Sequence, residues 1–600
     1  TDGNPFYLKE SARLLASEGD VVATSQVPEG VADVLRRRLA RLPEESVSVL
    51  RLASVIGRNV DVALLVRAAE VDEDAVLDAL EAGLISGLLR EPGPGRVRFS
   101  HLLVRETLYA GIPQLRRVRW HTRVADAVAE LYPGDLSALA YHAARAATPA
   151  TSAEAARRCA AAAELARARY AFDTEAELYL DAQRCLELAP EPDPHAIVDV
   201  INRRIPALIR AGATTVAIGA RAEGVALAAR VGDPALLADA LSAATIPALR
   251  STLRSYGERN DEFVALIETT LREELDPVRR CRLLITLTRE TSSVDDPRCA
   301  VAFREALERA HELGDPVLTA MTLLSGAEEF PPDIEAERRE PILAEMMELT
   351  ERHQLPVYRS AALMLSVNKA AWDLDLDEAR RRNAQVHELV RTYQLRQGTF
   401  LSDALDAMLT LMSGDVARAE RLYLQAYESQ LARGTVDANA AMLLVRWTLR
   451  YAQGRLGEMV DELGWAYENI APAVAHLLGL ALAERGDLRR ARQVLDEAPP
   501  LLHDYLWTIL ATMRAHTVAA VRASDLAPEL YDALLPYADR VAGAGSNAFV
   551  IGPVGLALGK LALLLDRPDA AARHFEQART AAKRCGSQLW LDQIEHAARR

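Results

Sequence analysis

The sequence predicts a mainly α-helical protein built from a small mixed domain and a long array of paired helices. Three observations predict it. Strand signals mix with helical ones only in the first 133 residues, around the turn Pro92-Gly93-Pro94-Gly95. From Gly134 to Arg600 no strand pattern is read, only helical periodicity. Within that second part a spaced template of glycine, small and aromatic residues recurs.

At 600 residues the chain is too long for one domain, and with 50% hydrophobic residues it has ample material for cores. The net charge of −15 argues against broad affinity for nucleic acid or anionic membrane. Cys159, Cys185, Cys281, Cys299 and Cys585 form no CxxC pair, which suits thiols in a reducing cytosol better than a disulfide framework. No signal peptide is read at the polar start Thr1-Asp2-Gly3, and no long uncharged apolar run is present. Ile551–Leu565 comes nearest, but Lys560 interrupts it. A cytoplasmic location is expected. The chain opens on Thr in mid-motif and is expected to be a piece of a larger polypeptide.

In the first part, Gly3-Asn4-Pro5 precedes an apolar-periodic helix containing Phe6, Leu8, Leu14 and Leu15. Asn4 suits its cap and Pro5 its first turn. Pro28–Leu42 places Val31, Val34, Leu35, Leu39 and Leu42 on one face. Helices are expected at Ser46–Ile56, Val60–Glu70 and Asp72–Leu84, then a hairpin of Leu88-Leu89 and Val97–Phe99. The strand Arg96–Phe99 runs into His101, which opens a helix with the apolar set Leu102, Leu103, Leu108 and Tyr109. Ile112-Pro113 ends that helix, and an Arg-rich one follows. Three helices and then a hairpin is the element order of a winged helix. Its candidate recognition helix carries Asp72, Glu73, Asp74, Asp78 and Glu81, which phosphates would repel, and none of the side chains that read bases, so a packing role is expected rather than DNA binding.

The residues Gly3–Leu8, Val27–Pro43 and Phe99–Tyr109 resemble the end of the nucleotide-binding module in STAND ATPases. The resemblance is strongest to large actinobacterial transcriptional regulators of the SARP-like and LuxR-like kinds. Those join a DNA-binding domain, a P-loop ATPase, a winged helix and tetratricopeptide repeats. It implies that Gly3, Asn4 and Pro5 stand at the family's GxP motif, whose proline packs on adenine. It implies that His101 approaches the β-phosphate of bound ADP. A helix N-terminus favours anions in any case, and the plainer reading of His101 is a cap for that helix. The resemblance covers about the first 130 residues, and the repeats more loosely.

The departure is large, since no GxxxxGK[ST] occurs. Gly555–Leu561 has the wrong spacing, with Leu561 where the hydroxyl that holds magnesium should be. The chain is therefore expected not to hydrolyse ATP, whereas the parent would be a slow ATPase switch binding ATP or ADP. The basic runs Arg36-Arg37-Arg38 with Arg41, and Arg116-Arg117 with Arg119 and Arg123, read as solvated helix faces. Alternatively they contact the ATPase core or its nucleotide.

In the second part the template is Gly, a small residue five on, Tyr, Phe or Leu nine on, and Ala twelve on. Gly414, Ala419, Tyr423 and Ala426 fit it, as do Gly486, Ala491, Leu495 and Ala498. Gly454 with Met459, Leu463 and Ala466 fits with Met as the small residue, and Asp566 with Ala571, Phe575 and Ala578 fits with Asp at the turn. Glycine turns the chain, alanine lets helices approach, and the aromatic fills the gap to the next pair: degenerate tetratricopeptide-like hairpins. Gly232-Asp233-Pro234 and Gly314-Asp315-Pro316 stand 82 positions apart, or two repeats of about 41. Breaks are expected at Pro332–Pro341 and Ala544–Gly552. Trp372, Trp447, Trp465, Trp507 and Trp590 read as hairpin core. His311 and His387 lack the second histidine of a zinc helix, and no nucleophile–base pair can be placed in one pocket.

The expected organisation is thus residues 1–27 as the end of an ATPase lid, 28–133 as a winged helix and 134–600 as a repeat superhelix. The function read from it is regulatory: nucleotide state sensed through the winged helix, and a protein or small-molecule signal bound by the array. Expected partners are the upstream P-loop ATPase and effector domains of the same polypeptide, with a nucleotide-dependent oligomer of the parent and no direct DNA contact by this chain. The alternatives are the same module linked to a nucleotide cyclase or protein kinase, or a plain scaffold.

Overall fold

A computed structural model describes residues 35, 38–245, 260–292, 296–330, 336–431, 438–546 and 548–599. The expected helix at Phe6–Leu15 and the lid residues 1–27 lie outside these, as does most of Pro28–Leu42. The described residues are mainly helical and fall into two compact units, Thr1–Val200 and Ile201–Arg600. The division expected at 133/134 falls inside the first.

The first unit opens with α1 (Glu44–Ile56), β1 (Asn59–Asp61), α2 (Val62–Ala68) and α3 (Glu73–Ile85). The hairpin β2 (Leu89–Gly93) and β3 (Arg96–Phe99) follows, then α4 (Leu102–Ala110). Its sheet is antiparallel in the order β1-β3-β2, with Val60 opposite Val97 and Leu89 opposite Phe99. The hairpin stands where the sequence placed it. β1 does not: the expected helix Val60–Glu70 surrenders its first two residues to a strand, and Asp61 caps what remains by accepting from Leu64 N at 3.1 Å. Asp72 caps α3 in the same way, through Ala75 N at 2.8 Å. Phe99, Leu65, Leu88 and Leu108 are fully buried in one core with Val60 and Val97. Of the apolar set expected inside α4, Leu108 is buried, Leu103 and Tyr109 are half-buried, and Leu102 is 43% exposed. Val104 takes the inward place instead.

α5 (Gln114–Leu131), α6 (Leu136–Ala146), α7 (Ser152–Ala168) and α8 (Phe172–Glu187) complete the described elements of this unit before the helix α9 (Pro194–Ala211). Alanine carries the α7–α8 contact: Ala155, Ala156, Ala162, Ala163 and Ala182 are buried around Cys159, Tyr179 and Cys185.

The second unit continues as α10 (Thr214–Val231), α11 (Pro234–Ser242), α12 (Asp261–Thr270), α13 (Pro277–Thr291), α14 (Pro297–Leu313) and α15 (Pro316–Glu329). Next come α16 (Ala336–Arg352), α17 (Pro356–Trp372), α18 (Leu376–Thr392), α19 (Arg396–Met412), α20 (Val416–Leu431), α21 (Ala438–Ala452) and α22 (Val460–Asn469). The last are α23 (Ala475–Arg485), α24 (Leu488–Glu497), α25 (Trp507–Ala520), α26 (Ala527–Leu534), α27 (Val554–Leu564), α28 (Pro568–Cys585) and α29 (Gln588–Ala598). Consecutive helices pack as pairs, most closely α13 on α14, α17 on α18, α19 on α20 and α27 on α28.

Local chemistry sets the helix ends. Asp233, Asp276, Asp296 and Asp315 each precede a proline at the first helical position, and each carboxylate accepts from backbone N–H groups one turn on. The turns use the left-handed region, with φ of 77° at Gly232, 65° at Gly314, 88° at Gly414 and 92° at Gly486. Non-glycine residues fill the same place elsewhere. Gln354, Leu374, Gln394 and Gly414 all have positive φ, each 20 positions after the last. The helical hairpin here is therefore 40 residues long. The template's inward residues are buried as expected, from Ala419, Tyr423 and Ala426 to Ala571, Phe575 and Ala578; Ala498 alone is half-buried.

Two expectations for the second part are corrected. Trp465 is 60% exposed, whereas Trp372, Trp447, Trp507 and Trp590 are buried, because α22 turns Leu463 and Ala466 inward and leaves position 465 outside. Strands do occur: β4 (Val541–Ala542) pairs with β5 (Gly552–Pro553), the two flanking the expected break at Ala544–Gly552. Of the break expected at Pro332–Pro341, residues 332–335 lie outside the described residues and 336–341 open α16, with Pro341 inside that helix.

Candidate functional site

His101 follows β3 in extended conformation (φ −143°, ψ 148°), where Ser100 N donates to Leu88 O at 2.9 Å and pins the end of the hairpin. Its Nδ1 accepts from Leu103 N at 3.5 Å, a long bond that makes it the cap of α4. Accepting at Nδ1 places the ring proton of a neutral imidazole on Nε2. The plainer sequence reading, a capping histidine, is therefore present in the structure. Gly3, Asn4 and Pro5 lie outside the described residues, so of the nucleotide-binding set implied by resemblance His101 alone can be located. One imidazole does not hold a nucleotide; a phosphate cradle of backbone N–H groups and a lysine is needed. The Gly555–Lys560 segment supplies none. It lies within α27, where a Cβ on Gly555 would stand 2.7 Å from His574 O and one on Gly559 2.4 Å from the Phe575 ring. Those glycines serve helix packing.

The Arg-rich stretch of α5 is divided: Arg116 and Arg119 lie on an exposed face, as the sequence reading expects, while Arg117 and Arg123 pack against the unit. Arg117 Nη2 donates to Ile112 O at 3.0 Å while its guanidinium lies 4.7 Å from the Tyr109 ring centre. Arg119 pairs with Glu70 at 2.7 Å, and Arg123 pairs with Glu70 at 3.2 Å and donates to Ala68 O. These arginines strap α5 to the ends of α2 and α4. Arg36 and Arg37 lie outside the described residues.

Beneath them is a cluster that the sequence did not signal. Tyr109 Oη and His121 Nε2 are 2.9 Å apart, and His121 Nδ1 and His142 Nδ1 are 2.9 Å apart, both rings buried. One ring donates and the other accepts, so at least the accepting ring is neutral. Burial pushes His121 down to about 3, helped by His142, Arg145, Arg117 and Arg105. Burial and Arg145 push His142 down to about 4 against Asp135.

A second cluster sets a hydroxyl beside an imidazole, a contact that the sequence did not signal. On α18 and α19, Ser402 Oγ stands 3.3 Å from His387 Nδ1, and His387 Nε2 stands 2.8 Å from Asp406. Asn383 Nδ2 donates to Asp406 at 2.6 Å. The order is that of a hydrolytic triad, but the serine cannot serve. It is fully buried, and its hydroxyl donates to Thr399 O at 2.9 Å. The network is a polar staple between two helices. Asp406 holds His387 above the usual imidazole range. Among the described residues no three His, Cys, Asp or Glu side chains are placed to hold a metal, and no helix is long and apolar enough to cross a membrane.

No protein-family model matches the chain, and no curated protein matches it. Among solved structures it is similar to a Signal Transduction ATPase with Numerous Domains (STAND) protein with a tetratricopeptide repeat sensor from Pyrococcus horikoshii. The identity is 11% and the TM-score 0.30, over 71% of this chain and 72% of that one. A likeness of that size carries no argument about this chain.

Proposed function

We propose that the chain is the coupling and sensing part of an ATP/ADP-switched transcriptional regulator of the STAND kind. Residues 1–27 end the nucleotide lid, 28–133 form the winged helix, and 134–600 form the tetratricopeptide-like array that binds a protein or small-molecule signal. The observation that carries the reading is the topology from Glu44 to Ala110: helix, strand, two helices, hairpin, strand order β1-β3-β2, then a histidine at the head of the next helix. That is the element order and pairing of a winged helix, and it agrees with the resemblance of Phe99–Tyr109. The exposed face of α3 carries Asp74, Asp78 and Glu81, so DNA contact is assigned to another domain of the parent. Hydrolysis, if slow, belongs to the P-loop domain, and the chain itself acts as a regulator in the cytoplasm.

The test uses the polypeptide that includes the P-loop. His101 donating from Nε2 to the ADP β-phosphate would contribute about 1.5–3 kcal/mol to the closed state. His101→Ala should then speed ADP release about ten- to hundredfold. Leu108→Ala, in the buried core of the same helix, is the control: it lowers stability without selectively speeding release. An unchanged ADP off-rate in His101→Ala leaves the histidine a cap and sinks the switch.

A further inference from the structure

A cavity of about 60 Å³ lies in the second unit, walled by Arg339 and Glu340 of α16, Lys369 and Trp372 of α17, the following Asp373, and Arg540. At about 10–15 Å³ for each water-sized sphere, it has room for roughly four to six non-hydrogen atoms. Three cations and two carboxylates line it, so the walls carry a net positive charge.

The carboxylates are already engaged. Lys369 Nζ bridges Glu340 at 3.1 Å and Asp373 at 2.6 Å. Arg540 bonds Trp372 O and Asp373 Oδ1, both at 3.2 Å and both through Nη1. Its Nη2 and Nε make no bond to a described residue. The guanidinium lies 5.3 Å from the centre of the Trp372 ring, which Tyr537 supports edge-on at 6.3 Å. Arg540 is therefore held at Nη1 and against the Trp372 ring, with the three N–H groups of Nη2 and Nε meeting no described acceptor, and its side chain is 37% exposed. A planar fork fixed in advance is the arrangement that grips an oxyanion with the least loss of side-chain freedom.

We propose that this cavity binds a small oxyanion, gripped by the open edge of the Arg540 guanidinium with Arg339 and Lys369 supplying field. The oxyanion is either free or the terminal group of a larger metabolite. Arg540 and Asp373 lie 167 positions apart in the chain, so the bound anion reinforces a junction between distant parts of the array. The inference gives chemical content to the proposed signal-sensing role of the array. It is measured without nucleotide, so its failure and that of the His101 switch are separable.

The experiment is calorimetric titration of this chain with inorganic phosphate, acetate and glycerol phosphate, with chloride as the control, alongside thermal unfolding. Saturable binding of phosphate or acetate by about 10 mM is expected, an excess over a millimolar Kd, with a raised melting temperature. Binding of glycerol phosphate as well assigns the site to the end of a larger molecule; binding of the small ions alone assigns it to a free anion. Arg540→Gln should weaken binding at least about tenfold. Arg584→Gln removes the neighbouring bond from Arg584 to Asp373 O at 2.6 Å, outside the cavity, and should leave affinity within about twofold. No saturable binding by any of the three, or equal loss in both variants, overturns the proposal.

Discussion

Acid should open the first unit through its buried histidine pair. In the fold His121 and His142 are held neutral, at about 3 and about 4, by burial and by the facing cations Arg105, Arg117 and Arg145, with Asp135 opposing and the tyrosines 109 and 141 packed alongside. In the unfolded chain both titrate near the usual value of about 6.5. Because the folded values are depressed, the unfolded state binds more protons below that pH. The stability is complete above about pH 7 and falls as pH drops toward the folded values. From pH 7 to pH 5 each ring loses about 2 kcal/mol, so the pair costs about 3–4 kcal/mol, a large share of a domain's stability. Near pH 5 the slope should approach that of about two protons taken up on unfolding. Hydrogen exchange of peptides covering α5, corrected for the intrinsic rate, reads the opening free energy of this helix directly. The double variant His121→Gln/His142→Gln keeps polar groups in place and removes the titration, so its slope should flatten. Protection of α5 that is unchanged between pH 7 and pH 5, or a slope equal in wild type and double variant, would refute the reasoning.

Other outcomes follow from single contacts. Arg221 and Glu290 form a 2.8 Å ion pair with both side chains 10% exposed, and Arg221 lies over Phe263. Arg221→Met should cost about 3–5 kcal/mol, and Arg221→Met with Glu290→Leu should recover most of it, read by denaturant unfolding. Gln354 sits at φ 52° with its side chain exposed. Gln354→Gly should raise stability by about 0.5–1 kcal/mol, while Gly314→Ala, at φ 65°, should lower it by about 1 kcal/mol. An unaltered melting temperature in either variant refutes the left-handed turn as the source of its effect.

The sequence by itself determined the features that a few consecutive residues encode. Asp followed by Pro states where a helix begins, because the carboxylate accepts N–H groups that no helix can satisfy internally and proline has no N–H to lose. Gly232 and Gly314 state where helices end, the Pro92–Gly95 turn states a hairpin, and the Gly/Ala/aromatic spacing states which faces pack. What the chain could not state alone is what meets each face. β1 is three residues long and exists because Val60 pairs with Val97. Trp465 is exposed and Trp447 buried although both fall in apolar runs, since periodicity names a face without naming its neighbour. The His121–His142 contact, the Ser402–His387–Asp406 staple and the Arg540–Trp372 contact join residues 15 to 168 positions apart. Each depends on the axial register of one helix against another, a shift of one turn being enough to part them, and that register is fixed only when the whole core closes.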